Sequence, residues 1–236
     1  MKASIPWEPE KAGGRFSIRE WEIDPERTAL LVVDVQRGYV ERDMGVGPLI
    51  QRSFPDVHEY YYPRLTHTVL PNIVKLQDFF RKKGAQIIYT RMGMQLPDAR
   101  DLGKWSWRHV QAVREDASTF AKDQPEHDLA TELTVTSNDL VLDKNSGSPF
   151  ASTAIDQILH NMGIENLVIV GIGTNAAVEN AARDAGDRGY CPMVVEDASA
   201  AYLPTDHEAA LATATWWVAR TTESIIETFD PLLANV

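Results

Sequence analysis

The chain has 236 residues and a mass of 26.4 kDa, with 44% hydrophobic and 24% charged residues, which suits one large α/β domain with a proper core and excludes a disordered chain. A net charge of −11 gives no attraction to nucleic acid or to an anionic membrane, although a local pocket can oppose that sign for a small anionic substrate. The single cysteine, Cys191, excludes an internal disulfide and a cysteine-based metal site, and no stretch has signal-peptide or membrane-span character, so a soluble cytoplasmic protein is the default expectation.

Residues 1–27 are polar and rich in Pro and Gly, and read as an arm lying over the domain or over a neighbouring subunit. Thr28–Asp34, TALLVVD, is the first buried strand. It ends in an acid, at the place where α/β sheets present working groups; a turn or cap role is the bland alternative for Asp34. Residues 41–63 form a long aromatic stretch with Phe54, His58, Tyr60, Tyr61 and Tyr62, read as an irregular but ordered lid. Thr68–Lys83 carries a helical apolar stripe that stops at Gly84. Gln86–Thr90 is the second strand, followed by Arg91. Residues 92–124 are a second insertion, in which Trp105 and Trp107 stand beside Lys104, Arg108 and His109 as either a pocket wall or a surface hairpin.

Asp139–Asp143 is the third strand, and Lys144 follows it. Ser152 or Thr153 caps a helix that runs to about Met162 with Gly163 behind it. Leu167–Val170 is an uncharged β-branched strand broken by Gly171, Gly173 and Thr174; Asn175 to Arg188 then resumes with helical spacing and ends at Gly189. Such a strand, tight turn and helix presents backbone N–H groups and a helix N-terminus to a ligand, although an ordinary βα turn has the same wording. Pro192–Val195 is a fifth strand, with Cys191 as buried filler at its start. Asp206–Val218 reads as an amphipathic helix containing Trp216 and Trp217, and a short strand and a helix close the domain near Phe229. This alternation predicts a single three-layer Rossmann-like domain over 1–236, with a mainly parallel sheet of about six strands and helices on both faces.

Three segments in this order, each at a strand end, carry a resemblance: Asp34-x-Gln36 within VVDVQRGYV, Lys144 with the following NSGSPF, and the turn Gly171–Val178, GIGTNAAV. The chain resembles the isochorismatase-like cysteine hydrolases, whose turn holds a cysteine where this chain has Ala177. The resemblance implies a Cys–Asp–Lys triad at Asp34, Lys144 and position 177, and an oxyanion hole from backbone N–H groups of Gly173 to Ala177. It also implies a cis peptide between Ile172 and Gly173. In that chemistry the thiolate adds to an amide carbonyl, the aspartate moves the proton, and water cleaves the thioester.

The wording T-N-x-x-V-E-x-x-x-R-D-A, here Thr174, Asn175, Val178, Glu179, Arg183, Asp184 and Ala185, is closer to the amidohydrolase branch, which includes ureidoacrylate, biuret and N-carbamoyl-amine hydrolases. The substrate expected by resemblance is therefore a small amide or carbamoyl compound. Gln36, Tyr39, Arg91, Trp105, Phe150, Thr174 and Asn175 are candidate contacts, and Phe150 could equally belong to the core. Asp98, Asp101 and His109 lack the spacing of zinc-dependent relatives, so no metal and no other cofactor is expected. A homodimer or homotetramer is implied.

Ala177 closes the covalent route. Three explanations fit: a Cys→Ala form that holds substrate without turning it over, a member that protonates a vinyl ether and needs no thiol, or a small-molecule-binding protein that kept the pocket.

Overall fold

Thr28–Val33 (β3) is buried at every position, as a strand covered on both faces requires. The computed structural model describes residues 3–5, 21–104, 120–213 and 217–233. A small antiparallel ribbon pairs Ala3–Ile5 (β1) with Trp21–Ile23 (β2). The main sheet adds Gln86–Met92 (β4), Leu140–Lys144 (β5), Asn166–Ile172 (β6), Cys191–Ala200 (β7) and Val218–Arg220 (β8) to β3. Its order is β5-β4-β3-β6-β7-β8, and every neighbouring pair is parallel. The chain works outward from β3 to β5, then crosses back to β6 and works outward the other way. The reversal falls between β3 and β6, the position where open α/β sheets leave a crevice at their carboxyl edge.

Alternation along β3 sends its residues to two apolar clusters. Leu30 and Val32 pack with Tyr61, Leu65, Ile73, Leu76, Phe80 and Phe229 on one face. Ala29, Leu31 and Val33 pack with Ile155, Leu159, Val178, Ala181 and Trp217 on the other. The helices Pro55–Arg64, Leu70–Lys82 and Thr222–Leu233 thus cover one face, and Ile155–Asn161 and Glu179–Asp187 the other, giving the three layers expected from the sequence.

Four segments differ from the sequence reading. The stretch 41–63 is helical over Gly47–Ser53 and Pro55–Arg64, because Pro48 and Pro55 sit in first turns where their missing N–H costs nothing. The second of these helices continues through a π-helical turn, Leu65–Val69, into Leu70–Lys82; Leu70 N–H reaches Leu65 O between the two prolines Pro63 and Pro71. The helix placed after Ser152 is split: Ser148 Oγ caps Pro149–Ser152, and Thr153 Oγ1 accepts from Ile155 N at the start of Ile155–Asn161.

β7 runs five residues past Val195, through Glu196 and Asp197. Asp197 is used inside the fold, accepting from Thr222 N and Oγ1 at 2.8 and 2.9 Å. Finally, the helix expected over 206–218 is Pro204–Ala212, and Trp217 is buried in the core beside β8. Trp216 and most of the N-terminal arm lie outside the described residues.

Candidate active site

Asp34 is the first residue past β3 and has φ +53°, a left-handed conformation that Asp tolerates better than most side chains. Its N–H donates to Thr90 O at 3.1 Å, which ties the turn to the end of β4. The carboxylate accepts on both oxygens: Thr90 Oγ1 donates to Oδ1 at 2.8 Å, and Lys144 Nζ donates to Oδ2 at 2.7 Å. Lys144, the last residue of β5, is 1% exposed. Its ammonium also donates to Ser146 O and Gly147 O, both at 2.9 Å, so all three of its N–H donors are used. A buried charge is tolerated only when paired and hydrogen-bonded in this way.

The turn after β6 faces this pair. Gly171 has φ +128°, and a Cβ there would collide with Val33 O, so the position requires glycine. The peptide between Ile172 and Gly173 is cis, as the resemblance implied. Thr174–Val178 forms a π-helical turn leading into the helix Glu179–Asp187, with Ala176 N and Val178 N donating to Gly173 O.

A cavity of about 480 Å³ opens here. Six residues singled out in the sequence line it: Asp34, Tyr39, Lys144, Gly173, Asn175 and Ala177. The rest of the wall comes from Tyr61, Met92, Gly147, Ile172, Ala176, Ala200, Ala201 and Tyr202. Tyr39 stacks on Phe120 with ring centroids 4.2 Å apart, and Tyr61 packs against Tyr202. Burial above all, then neighbouring Tyr202, lifts the Tyr39 and Tyr61 hydroxyls well above the usual phenol range, and burial followed by Tyr62 does the same for Tyr202. All three are neutral donors at pH 7.

Four candidate contacts fall elsewhere. Gln36 is fully buried and clamps the backbone: its Nε2 donates to Met92 O and His127 O, and its Oε1 accepts from Met92 N at 2.7 Å. Arg91 turns away to Asp143 at 2.7 Å and Asp128 at 3.8 Å. Phe150 is a core residue, packed on Tyr190 and under the Arg188 guanidinium. Thr174 is wholly buried, and its hydroxyl meets His207 Nδ1 at 2.7 Å rather than the cavity. Trp105, Trp107, Arg108 and His109 lie outside the described residues.

Tyr61 comes from the 41–63 stretch read as a lid, whereas sequence reasoning missed Thr90, Tyr202 and His207. Thr90 closes a predicted strand beside Arg91, so its place at the sheet edge was readable; the other two come from a loop and a helix whose approach to the site depends on packing.

Taken together, the fold and the cavity define an α/β protein with a pocket at the switch point of a parallel sheet. A family model described as the isochorismatase domain matches residues 28–225. The ureidoacrylate amidohydrolase RutB of Acinetobacter baylyi is 31% identical over 222 residues, covering 89% of this chain and 86% of that protein. This chain therefore belongs to the isochorismatase family of hydrolases, with amidohydrolases among its relatives. Two solved structures share the fold. A cysteine hydrolase from Pseudomonas syringae pv. phaseolicola superposes with a TM-score of 0.75 at 24% identity, covering 93% of this chain and 100% of that one. An N-carbamoylsarcosine amidase from Thermoplasma acidophilum gives 0.63 at 22% identity, covering 84% and 97%.

Proposed function

We propose that this site is built to cleave the C–N bond of a small amide, ureide or N-carbamoyl compound through a thiol at position 177, and that with Ala177 it binds such a compound without turning it over. The observation that carries the reading is the contact of Asp34 with Lys144 at 2.7 Å on the wall of the cavity that also holds Ala177. The names of the relatives, a ureidoacrylate amidohydrolase and an N-carbamoylsarcosine amidase, point to the same bond type.

In this reading a thiol at position 177 gives its proton to Asp34, and the sulfur adds to the carbonyl carbon. Backbone N–H groups of the turn at Gly173 and Ala177 meet the developing oxyanion. Asp34 returns the proton to the departing nitrogen, so ammonia or an amine leaves and a thioester remains. Water then adds to the thioester, Asp34 taking its proton, and the thiol is released. Lys144, its three donors committed, holds the carboxylate and lends positive charge without touching substrate. Tyr39 and Asn175 contact the substrate at the cavity wall. With a methyl group at 177 the first bond cannot form, and losing a nucleophile removes several orders of magnitude of rate.

The test is Ala177→Cys, assayed for ammonia release from a panel of small carbamoyl compounds and amides. Turnover by the substituted protein and none by the Ala177 chain is the expected result. A silent Ala177→Cys protein beside an Ala177 chain that hydrolyses a vinyl ether such as isochorismate overturns it.

A further inference from the structure

Behind the turn, on the side away from the cavity, stands a buried polar chain that the chemistry above does not use. Arg64, the last residue of the helix that carries Tyr61, points its Nη2 at His207 Nε2 at 3.1 Å. The same nitrogen donates to Glu196 O and Ser199 O at 3.1 and 3.2 Å, which anchors it to β7. His207 is in the first turn of Pro204–Ala212, just past the cavity residue Tyr202. Its other ring nitrogen meets Thr174 Oγ1 at 2.7 Å, and Thr174 directly follows the cis peptide.

Both nitrogens of the His207 ring have polar partners. Arg64 and the Glu196 carbonyl both stand at the ring, the first able only to donate to it and the second only to accept. Burial, and then the Arg64 charge, lower the His207 pKa to about 4, so the ring is neutral at pH 7. Nδ1 pairs with the Thr174 hydroxyl, which can donate or accept and so matches either tautomer. Thr174, His207 and Arg64 are 0% exposed, 7% exposed and partly buried respectively, so water does not supply these bonds for the first two.

We propose that His207, held between Arg64 and the end of β7, is the positioning residue for the turn Gly173–Ala177: through Thr174 it fixes the backbone N–H groups that serve a reacting atom at position 177. The chain of contacts joins the tyrosine-bearing helix, the end of β7 and the turn, so the wall that would hold a substrate and the amides that would meet its oxyanion share one anchor. The inference takes the thiol seat at 177 from the proposed function, but its test needs no substrate.

A thiol at 177 reports on the turn directly, because N–H groups at a helix start favour thiolate. The parent is Ala177→Cys in a Cys191→Ala background, which leaves one thiol, and the readout is the pH dependence of its alkylation by iodoacetamide. His207→Gln and His207→Asn separate two roles. The Gln amide reaches the Nε2 position and keeps the contact with Arg64, whereas the Asn amide takes the Nδ1 position and keeps the contact with Thr174. The Gln variant is expected to alkylate ~10-fold more slowly than the parent at pH 6, with its profile moved to higher pH, and the Asn variant to recover most of the parent rate.

A residue that merely fills space and satisfies Arg64 would be replaced equally well by Gln. Parent-like profiles for both variants overturn the proposal. If His207→Gln does not fold, Thr174→Val decides: it keeps the shape and removes the hydroxyl, so a slowed thiol supports the proposal and a parent-like thiol overturns it. A reactive parent thiol that releases no ammonia from any amide sinks the hydrolase reading and leaves this one standing.

Discussion

Thr90 donates its hydroxyl hydrogen to Asp34 Oδ1 at 2.8 Å, on the carboxylate oxygen that Lys144 leaves open. The two donors reach the carboxylate from neighbouring strands, β4 and β5, and fix the plane in which its remaining lone pairs face the cavity. Thr90→Val keeps the β-branched shape and removes one donor. In the Ala177→Cys background it is expected to lower kcat by about tenfold with little change in KM, and to cost about 1 kcal/mol of stability. Steady-state ammonia release and urea unfolding measure the two effects; an unchanged kcat would show that Lys144 alone orients the acid.

The Asp34–Lys144 pair is expected to be strongly coupled. Asp34→Asn or Lys144→Met alone leaves its partner buried without its counter-ion, at a cost of roughly 3–5 kcal/mol. The double variant leaves neither charge and is expected to lose much less than the sum. A double-mutant cycle by denaturant unfolding reads the coupling directly, and additive losses would mean that water already reaches the pair.

Tyr61 lines the cavity, and its hydroxyl is buried with no hydrogen-bond partner among the described residues. An unsatisfied buried hydroxyl is a cost to the ligand-free protein. Tyr61→Phe should therefore melt at the same or a higher temperature than the parent. Thermal melts of the two proteins without ligand measure the effect. A large loss of stability without ligand would contradict the assignment.

Stability should fall between pH 6.5 and 4. The unfolded chain takes up a proton on His207 near 6.5, whereas in the folded protein burial and the facing Arg64 hold that uptake off until about pH 4. The stabilisation is complete above pH 6.5 and is lost as pH falls toward 4, by about 3 kcal/mol in all. His127, lowered by burial and by Arg91, acts in the same direction. Urea unfolding of the parent and of His207→Asn at pH 7.5 and 5 isolates the His207 part. The variant's slope should be shallower, and equal slopes would place that proton elsewhere.

What the sequence made legible follows from where its information is local. Asp34, Lys144 and the Gly171–Val178 turn each end a strand that was recognisable from its own apolar run, and a parallel sheet brings such ends to one edge. Gln36 and Thr174 lie in those same motifs, yet Gln36 is buried in a backbone clamp and Thr174 against His207, because a motif records that a residue is needed without saying whether it faces ligand or fold. Arg91 was a plausible substrate cation until Asp143, one strand away, claimed it. Tyr61, Tyr202 and His207 reach the site through helix packing at long sequence separation, which no window of the chain encodes. The helix at 55–64 escaped because Pro55 in its first turn and Pro63 near its end resemble loop punctuation.

The crossing of the chain from β5 back to β6 has a consequence for synthesis on the ribosome. A nascent polypeptide that has emerged only as far as Lys144 has already made both charges of the pair, but β6, which must lie against β3 to cover them, is still to come. Parallel pairing of strands so far apart in the chain is entropically slow. The acid and the ammonium are therefore made well before the strand that completes their surroundings, and become a buried pair only when the final third of the polypeptide folds against β3.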